Sequence, residues 1–504
     1  MDTLISNAHI LTMDNHNTEY ESADILIRED KIVQIGAALD PRTPNDVRRI
    51  NGTGKLVMPG LINGHVHSPG NFMKGALDNL PLEIFMLYEV PPLSESAAGF
   101  SLNYLRTLLG AVEMLKLGVT SVHDDAYYVP VPTPDAIDGV MKAYLDCGIR
   151  AVATLDQPNV LEYEKYPYLY DLLPQEIRDE MAAVRLMSSQ ELLDCYQYLI
   201  DRWHLAGDGR VRAGVSVSAP QRVKIDYFEA LSGLSKQFDL PFNIHILETK
   251  LQRVLGDVKY GKSLVQYVHD LGLLDERMMV IHAIWIDDDD VHLLSEAGCS
   301  VAHNPVCNLK LGSGVMTWRR LREHGINICL GSDEACADDT ANMWLVGKTA
   351  GLVHSIDEID YLRWPKAPEI LHALTRGGAR AMRLDAQVGM LAPGYQADLI
   401  MLDLNSLAFT PLNDLRRQLV YCENGNSVVM TMVAGEVIVE DGKIKTVDEE
   451  ALKAEVRELM PIVRAQLKKA DEAARRLEPY YREMYLRCAR QEMVMNRRLN
   501  EGKP

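Results

Sequence analysis

Hydrophobic and polar positions along the chain fall into two textures. In the first 57 residues, short β-prone runs at 2–13, 23–27 and 31–35 alternate with turn residues, and the same texture returns at 397–403, 428–433 and 436–439. Two such segments, far apart in sequence, predict one small β-sandwich domain built from both chain ends. Between them, short apolar runs alternate with stretches whose apolar residues recur every three or four positions, the pattern of parallel strands joined by crossover helices. The strand candidates are 56–63, 119–123, 151–155, 211–217, 242–246, 278–282, 300–303 and 326–330, with helical stretches at 102–117, 191–204, 228–237 and 291–297. Eight strands are what a closed βα barrel requires. The predicted fold is α/β, a TIM-like (β/α)8 barrel at 58–388 with the small β domain contributed by 1–57 and 389–446. The tail, 447–504, is rich in Ala, Glu, Lys, Arg and Leu and reads as one or two long helices that embrace the barrel or a second subunit.

Composition narrows the partners. A formal charge of -19 repels phosphate backbones and anionic membranes at long range, so nucleic acid is excluded as a general partner and a small neutral or cationic molecule is favoured. No apolar run reaches the roughly 18 residues of a membrane span, and no basic leader precedes an apolar stretch, so a cytoplasmic protein without membrane contact is expected. The eight cysteines contain no CxxC pair, which points to separate reduced thiols and leaves histidine and carboxylate to hold any metal.

The candidate chemistry lies at strand ends. His65 and His67 close the first strand two residues apart, and a period of two puts both imidazoles on one face. Alone the pair carries little weight, since 14 histidines in 504 residues give roughly 0.4 such pairs by chance. After the fifth strand, His245 and Glu248 stand as His-Ile-Leu-Glu, a spacing that leaves a ligand facing inward and a carboxyl over the same mouth. The eighth strand runs out in Leu330-Gly331-Ser332-Asp333, where a barrel places catalytic groups, and Asp333 is a candidate fourth ligand. Three imidazoles and a carboxylate would hold one divalent ion with a position open for water, whose pKa it would bring toward 7. Zinc is the first expectation, and iron or manganese suit the same donors. Asp333 would take the water proton, Glu248 would pass one to a ring nitrogen or leaving amine, and His282, ending the sixth strand, would orient the nucleophile. His123, Gln157 and His303, at or just past strand ends, are candidate substrate contacts.

Met58-Pro59-Gly60-Leu61-Ile62-Asn63-Gly64-His65-Val66-His67 resembles the entry motif of the amidohydrolase superfamily. His303-Asn304-Pro305-Val306-Cys307-Asn308-Leu309-Lys310-Leu311-Gly312-Ser313-Gly314 resembles the HxPxSNxxLxSG motif of its chlorohydrolase and aminohydrolase branch, with Cys307 for the usual Ser. Gly394-Tyr395-Gln396-Ala397-Asp398-Leu399-Ile400 matches that branch's return into the small β domain. The resemblance covers nearly the whole chain. It implies His65, His67, His245 and Asp333 as ligands, Glu248 and His282 in catalytic roles, and a homodimer. Two-metal relatives bridge their ions with a carboxylated lysine after the fourth strand; here Val215-Ser216-Val217-Ser218-Ala219-Pro220 offers none, and one metal per chain is expected.

Two departures bear on substrate. Nucleoside-deaminating members carry a Glu-Trp pair where this chain has Glu83-Ile84-Phe85, so a ribose loses its partner unless Glu83 takes over, at about 1–3 kcal/mol for a buried unmade hydrogen bond. Glu334, Asp338 and Asp339 follow Asp333 where those enzymes have GTDG, and acidic groups suit an amino-substituted heterocycle. The reading reached is removal of an amine or alkylamine from an s-triazine or pyrimidine-like ring, closest to the s-triazine hydrolases and among them the hydroxydechloroatrazine ethylaminohydrolases. The alternatives are deamination of a purine, pterin or nucleoside of the S-adenosylhomocysteine or methylthioadenosine type, and a catalytically inactive binding barrel.

Overall fold

A computed structural model describes residues 2–39, 47–93 and 99–498. Parts of the expected first and last units, residues 1, 40–46 and 499–504, lie outside the described residues. Parallel strands form two five-stranded sheets. One runs Asp333–Glu334, Leu61–His67, Val119–Asp124, Arg150–Ala153, Val211–Ala213; the other runs Val215–Ser216, Phe242–Ile246, Met278–His282, Ser300–His303, Asn327–Leu330. The sheets share chain at both edges, since only Gly214 separates 211–213 from 215–216 and only Gly331 and Ser332 separate 327–330 from 333–334. Pairing therefore runs in a closed circuit of eight chain passes, an arrangement of TIM-barrel type. Helices Phe100–Lys116, Pro134–Cys147, Ser189–Trp203, Ile225–Phe238 and Asp288–Ala297 return the chain between passes and bury apolar faces against it.

The apolar run expected as one strand at 56–63 is two strands in different sheets. Lys55–Pro59 pairs antiparallel with Leu399–Asp403 in the small domain, and Leu61–His67 enters the barrel circuit. Gly60 is the crossing point. A Cβ there would lie 2.1 Å from Thr120 Oγ1, so only glycine lets the two strands meet this closely. Periodicity could not see the break, because both sides are apolar.

The small domain draws its strands from both ends of the chain, but they form one hydrogen-bonded nine-stranded sheet and not two separate sheets. Its strands curl over a shared core in which Ile27 and Ile32 belong to the same cluster as Leu399, Met432 and Val437. The tail is one helix, Glu449–Ala489, with Pro461 and Pro479 inside it, and its Leu477, Tyr481 and Met484 pack against Ile84 and Leu87 of helix Leu82–Glu89. Among the described residues no helix is long and apolar enough to cross a membrane. All eight cysteines are free thiols, seven of them buried.

Candidate metal centre and active-site cavity

The carboxyl ends of the strands bring together the residues expected as ligands. His65 and Asp333 come from adjacent passes, with Nε2 3.6 Å from Asp333 Oδ1, and His67 Nε2 stands 3.6 Å from the same oxygen. The rings of His65 and His245 lie 5.1 Å apart, those of His67 and His245 5.4 Å. One nitrogen from each of the three imidazoles falls within 4.8 Å of the others, close enough for a single ion to draw together.

Backbone carbonyls set two of the rings. His67 Nδ1 meets the Asp125 carbonyl at 2.5 Å and His245 Nδ1 meets that of Ser218 at 2.8 Å, so in each ring Nδ1 holds the proton and Nε2 is left as a donor toward the centre. His65 is fully buried and neither ring nitrogen has a hydrogen-bond partner. An orphaned imidazole of this kind, amid two others and a carboxylate, fits a divalent cation of the zinc type. Burial lowers the pKa of His65 and carries that of His245 well below the ordinary value, which keeps both in the neutral form that ligates. Burial also works against His67, but Asp333, Asp125 and Asp156 together hold it up to about 9, so His67 has to release the Nε2 proton to ligate a cation. Burial alone would raise Asp333, yet His65, His282 and His67 hold its carboxyl well below the usual range.

His282 and Glu248 stand beside this cluster. His282 Nε2 is 3.5 Å from Asp333 Oδ2 and 3.4 Å from Glu248 Oε2. Its other ring nitrogen lies 3.3 Å from Asn308 Nδ2, and Asn304 Nδ2 donates to Asp333 Oδ2 at 3.2 Å. Burial pushes His282 down to about 4 and, with Asp333 nearby, lifts the Glu248 carboxyl well above its ordinary value. The backbone is strained at these strand ends: Ser218, Leu247, His282, Ala283 and Asp333 all have positive φ, from 48° to 72°. Non-glycine residues held there cost about 1–3 kcal/mol each, and such strain gathers where side chains must be aimed.

A cavity of about 870 Å3, counting the space open at its mouth, has His67, His245, Glu248, His282 and Asp333 on its floor. Leu82, Phe85, Met86, Tyr166 and Leu311 form apolar walls, while Glu89, Tyr127, Asp156, Arg222 and Glu334 supply polar ones. Tyr127 Oη lies 2.9 Å from both Glu89 Oε1 and Glu334 Oε1, which ties the two carboxyls together. The expected substrate contacts are placed elsewhere. His123 and His303 are buried and are not among the residues lining this cavity, and Gln157 lines a neighbouring recess and donates to the Pro130 carbonyl. Glu83 is buried, accepts from Thr249 Oγ1 at 2.6 Å and does not line the cavity, while Ile84 sits in the apolar cluster under the tail helix. Sequence reasoning missed Asp125, Ser218, Asn304, Glu89 and Tyr127. Of these only Asp125, beside His123 at a strand end, left a positional signal.

The sequence profile of the Amidohydrolase family matches residues 56–438. A 5-methylthioadenosine/S-adenosylhomocysteine deaminase of Nitratidesulfovibrio vulgaris is 31% identical over 91% of this chain and 97% of its own. A 5'-deoxyadenosine deaminase of Methanosarcina mazei is 27% identical over 89% and 95%. Among solved structures, an adenosine deaminase from Xanthomonas campestris with bound zinc has a TM-score of 0.81 at 25% identity, over 92% of this chain and 99% of that one. The zinc complex of atrazine chlorohydrolase TrzN from Arthrobacter aurescens TC1 has a TM-score of 0.82 at 24% identity, over 91% and 100%, which is a likeness of fold. The chain therefore belongs to the amidohydrolase family and is a hydrolytic enzyme acting on carbon–nitrogen bonds other than peptide bonds.

Proposed function

We propose that the protein removes ammonia hydrolytically from an amino-substituted purine-type ring, with an adenosine derivative as the substrate class. The observation that carries this reading is Glu248 and His282 standing within 3.4 Å of one another beside Asp333, on the floor of a cavity large enough for a nucleoside-sized molecule. The balance moves from the s-triazine expectation to its deaminase alternative because full-length relatives deaminate adenosine-type compounds, whereas the likeness to the triazine enzyme is one of fold.

His65, His67, His245 and Asp333 would hold one divalent ion, with zinc the reading its donors favour. When bound, such an ion supplies Lewis acidity that brings the pKa of a water toward neutrality. The remaining work falls to side chains. Asp333 accepts the proton that water loses as its oxygen bonds to the amine-bearing carbon. Glu248, aimed into the cavity, gives its proton to the ring nitrogen; the proton held by Asp333 then passes to the departing amine, so the carbon–nitrogen electron pair leaves on ammonia, and Glu248 is restored by the proton of the new hydroxyl as the carbonyl forms. His282, fixed by Asn304 and Asn308, holds the nucleophile in line between Asp333 and Glu248.

The test is release of ammonia and of alkylamine over a panel of adenosine derivatives, aminopurines and aminotriazines, with Glu248→Gln as the variant. Ammonia from adenosine derivatives, lost by about 10²–10⁴-fold in Glu248→Gln, is expected. Turnover of aminotriazines alone, or a Glu248→Gln variant as active as the parent, would overturn it.

A further inference from the structure

A second cavity opens at the other end of the barrel strands, between the barrel's underside and the small sheet, with a volume of about 910 Å3 including its open mouth. Asn327, the first residue of the last barrel strand, lines it, six residues before Asp333. Its wall carries Arg322, His372, Arg376 and Arg380, with Asn15 and Tyr395 facing them from the small domain.

His372, Arg376 and Arg380 recur every four residues through the consecutive helical turns Ala367–His372, Ala373–Gly377 and Gly378–Ala381, and so share one face. Arg376 and Arg380 repel at this spacing, and no ion pair among the described residues relieves them. Among the described residues Arg322 and Arg380 make no ion pair or side-chain hydrogen bond, and Arg376 donates only to the neutral Asn15 Oδ1, at 2.6 Å. Nearby arginines behave differently: Arg319 pairs with Glu369, Arg363 with Glu323, Arg383 with Asp239. The one acidic residue on the wall, Asp385, forms no ion pair among the described residues. Three uncompensated guanidiniums in one recess are conspicuous in a chain with 71 acidic and 52 basic residues.

We propose that this cavity binds a small phosphate-bearing anion, held by the guanidiniums of Arg322, Arg376 and Arg380. A guanidinium offers paired N–H donors that match phosphate oxygens, and three of them balance a dianion better than a single carboxylate. Burial and the surrounding arginines lower His372 to about 4, so its neutral ring adds an N–H donor without a fourth charge. Long-range repulsion from a net charge of -19 selects for a compact anion over a nucleic acid.

Calorimetric titration of the metal-loaded full-length protein with inorganic phosphate, pyrophosphate and glycerol 3-phosphate, at constant ionic strength, tests this and separates free phosphate from a phosphate ester. One saturable site per chain is expected for at least one probe. It should be weakened at least about tenfold in Arg322→Gln/Arg380→Gln and unchanged in His67→Ala, which disables the metal centre instead. The variant's melting curve and metal content check that it is folded, and the single Arg380→Gln, on an exposed side chain, provides a milder second case. No saturable binding of any probe, binding indifferent to the arginine substitutions, or binding lost in His67→Ala would each overturn the proposal.

Discussion

Removing the Asp398 carboxylate should destabilise the chain by about 3–5 kcal/mol, the scale for stranding one member of a buried ion pair. Arg150 opens the third barrel pass and Asp398 precedes Leu399–Asp403 in the small sheet; Nε and Nη2 donate to the two carboxylate oxygens at 2.7 and 3.0 Å. The side chains are only 3% and 2% exposed, so solvent does not screen the pair. Asp398 Oδ1 also accepts the Ala434 N–H at 2.7 Å. Asp398→Ala thus leaves a guanidinium with no hydrogen-bonded counter-charge, and only the Asp30 carboxylate acting at longer range, in a dry joint between barrel and small sheet. The unfolding equilibrium should shift by roughly two to four orders of magnitude, at 1.4 kcal/mol per tenfold. Urea unfolding followed by tryptophan fluorescence reads this directly, since Trp285, Trp318 and Trp344 are buried. The double variant Arg150→Met/Asp398→Leu should recover most of the loss, because an apolar pair of similar volume avoids the desolvation that the ions bear. Turnover under native conditions should be unchanged in both, as the pair lies at the far ends of the strands from the metal cluster. A loss below about 1 kcal/mol in Asp398→Ala, or a double variant no more stable than the single one, would refute the reasoning.

His67→Ala should lower bound metal by more than about tenfold by elemental analysis and abolish turnover with it, and metal content equal to the parent would count against the centre. Gly331→Ala places a Cβ 2.5 Å from Asn304 Oδ1 and 2.8 Å from the His65 carbonyl oxygen, so a stability loss of about 1–3 kcal/mol should accompany a fall in kcat. A Gly331→Ala enzyme of parental stability and rate would show that the two loops yield freely. In the capping box that opens helix Ser189–Trp203, the Ser188 N–H and hydroxyl, with Arg185, lower the Glu191 pKa. A depressed carboxyl stabilises the fold above its unfolded pKa and stops doing so as pH falls through its folded one. Glu191→Gln should therefore show a lower urea midpoint than the parent near about pH 7, a difference that shrinks as the pH falls through the lowered folded pKa of Glu191.

The barrel circuit was legible because each pass is a short apolar run followed by a helix of different period, and the seven candidate strands after the first begin or end within a residue or two of the observed bounds. The same rule failed at Gly60, where two strands of different sheets abut with no polar residue between them. For the small domain it placed strands at both chain ends, as observed, but an alternating run reports a half-buried strand without saying whether its partners close into one sheet or two. Among the site residues, the imidazoles and carboxyls that end strands were visible. What fixes them was not: the Ser218 and Asp125 contacts are made by backbone carbonyls, which every residue possesses, and Asn304 acts through a loop whose course depends on the whole ring of strands. Glu83 was a reasonable substitute for the missing ribose partner on paper. Its burial against Thr249 shows that proximity in sequence to the expected position does not aim a side chain into the cavity.

The cavity wall is braced by a part of the molecule that lies beyond the span of the family profile. On helix Leu82–Glu89, Leu82, Phe85, Met86 and Glu89 line the cavity, while Ile84 and Leu87 pack beneath Leu477 and Tyr481 of the tail helix. Tyr88 hydrogen-bonds Glu478, and Tyr481 Oη donates to Glu162, another residue of the cavity wall. The tail helix begins at Glu449, beyond the 56–438 span shared with the family profile. The floor is thus built from strand ends inside that span, and helix Leu82–Glu89 of the wall, itself inside the span, is braced by chain outside it. Fold likeness therefore constrains the barrel far more tightly than the molecule that the cavity wall meets.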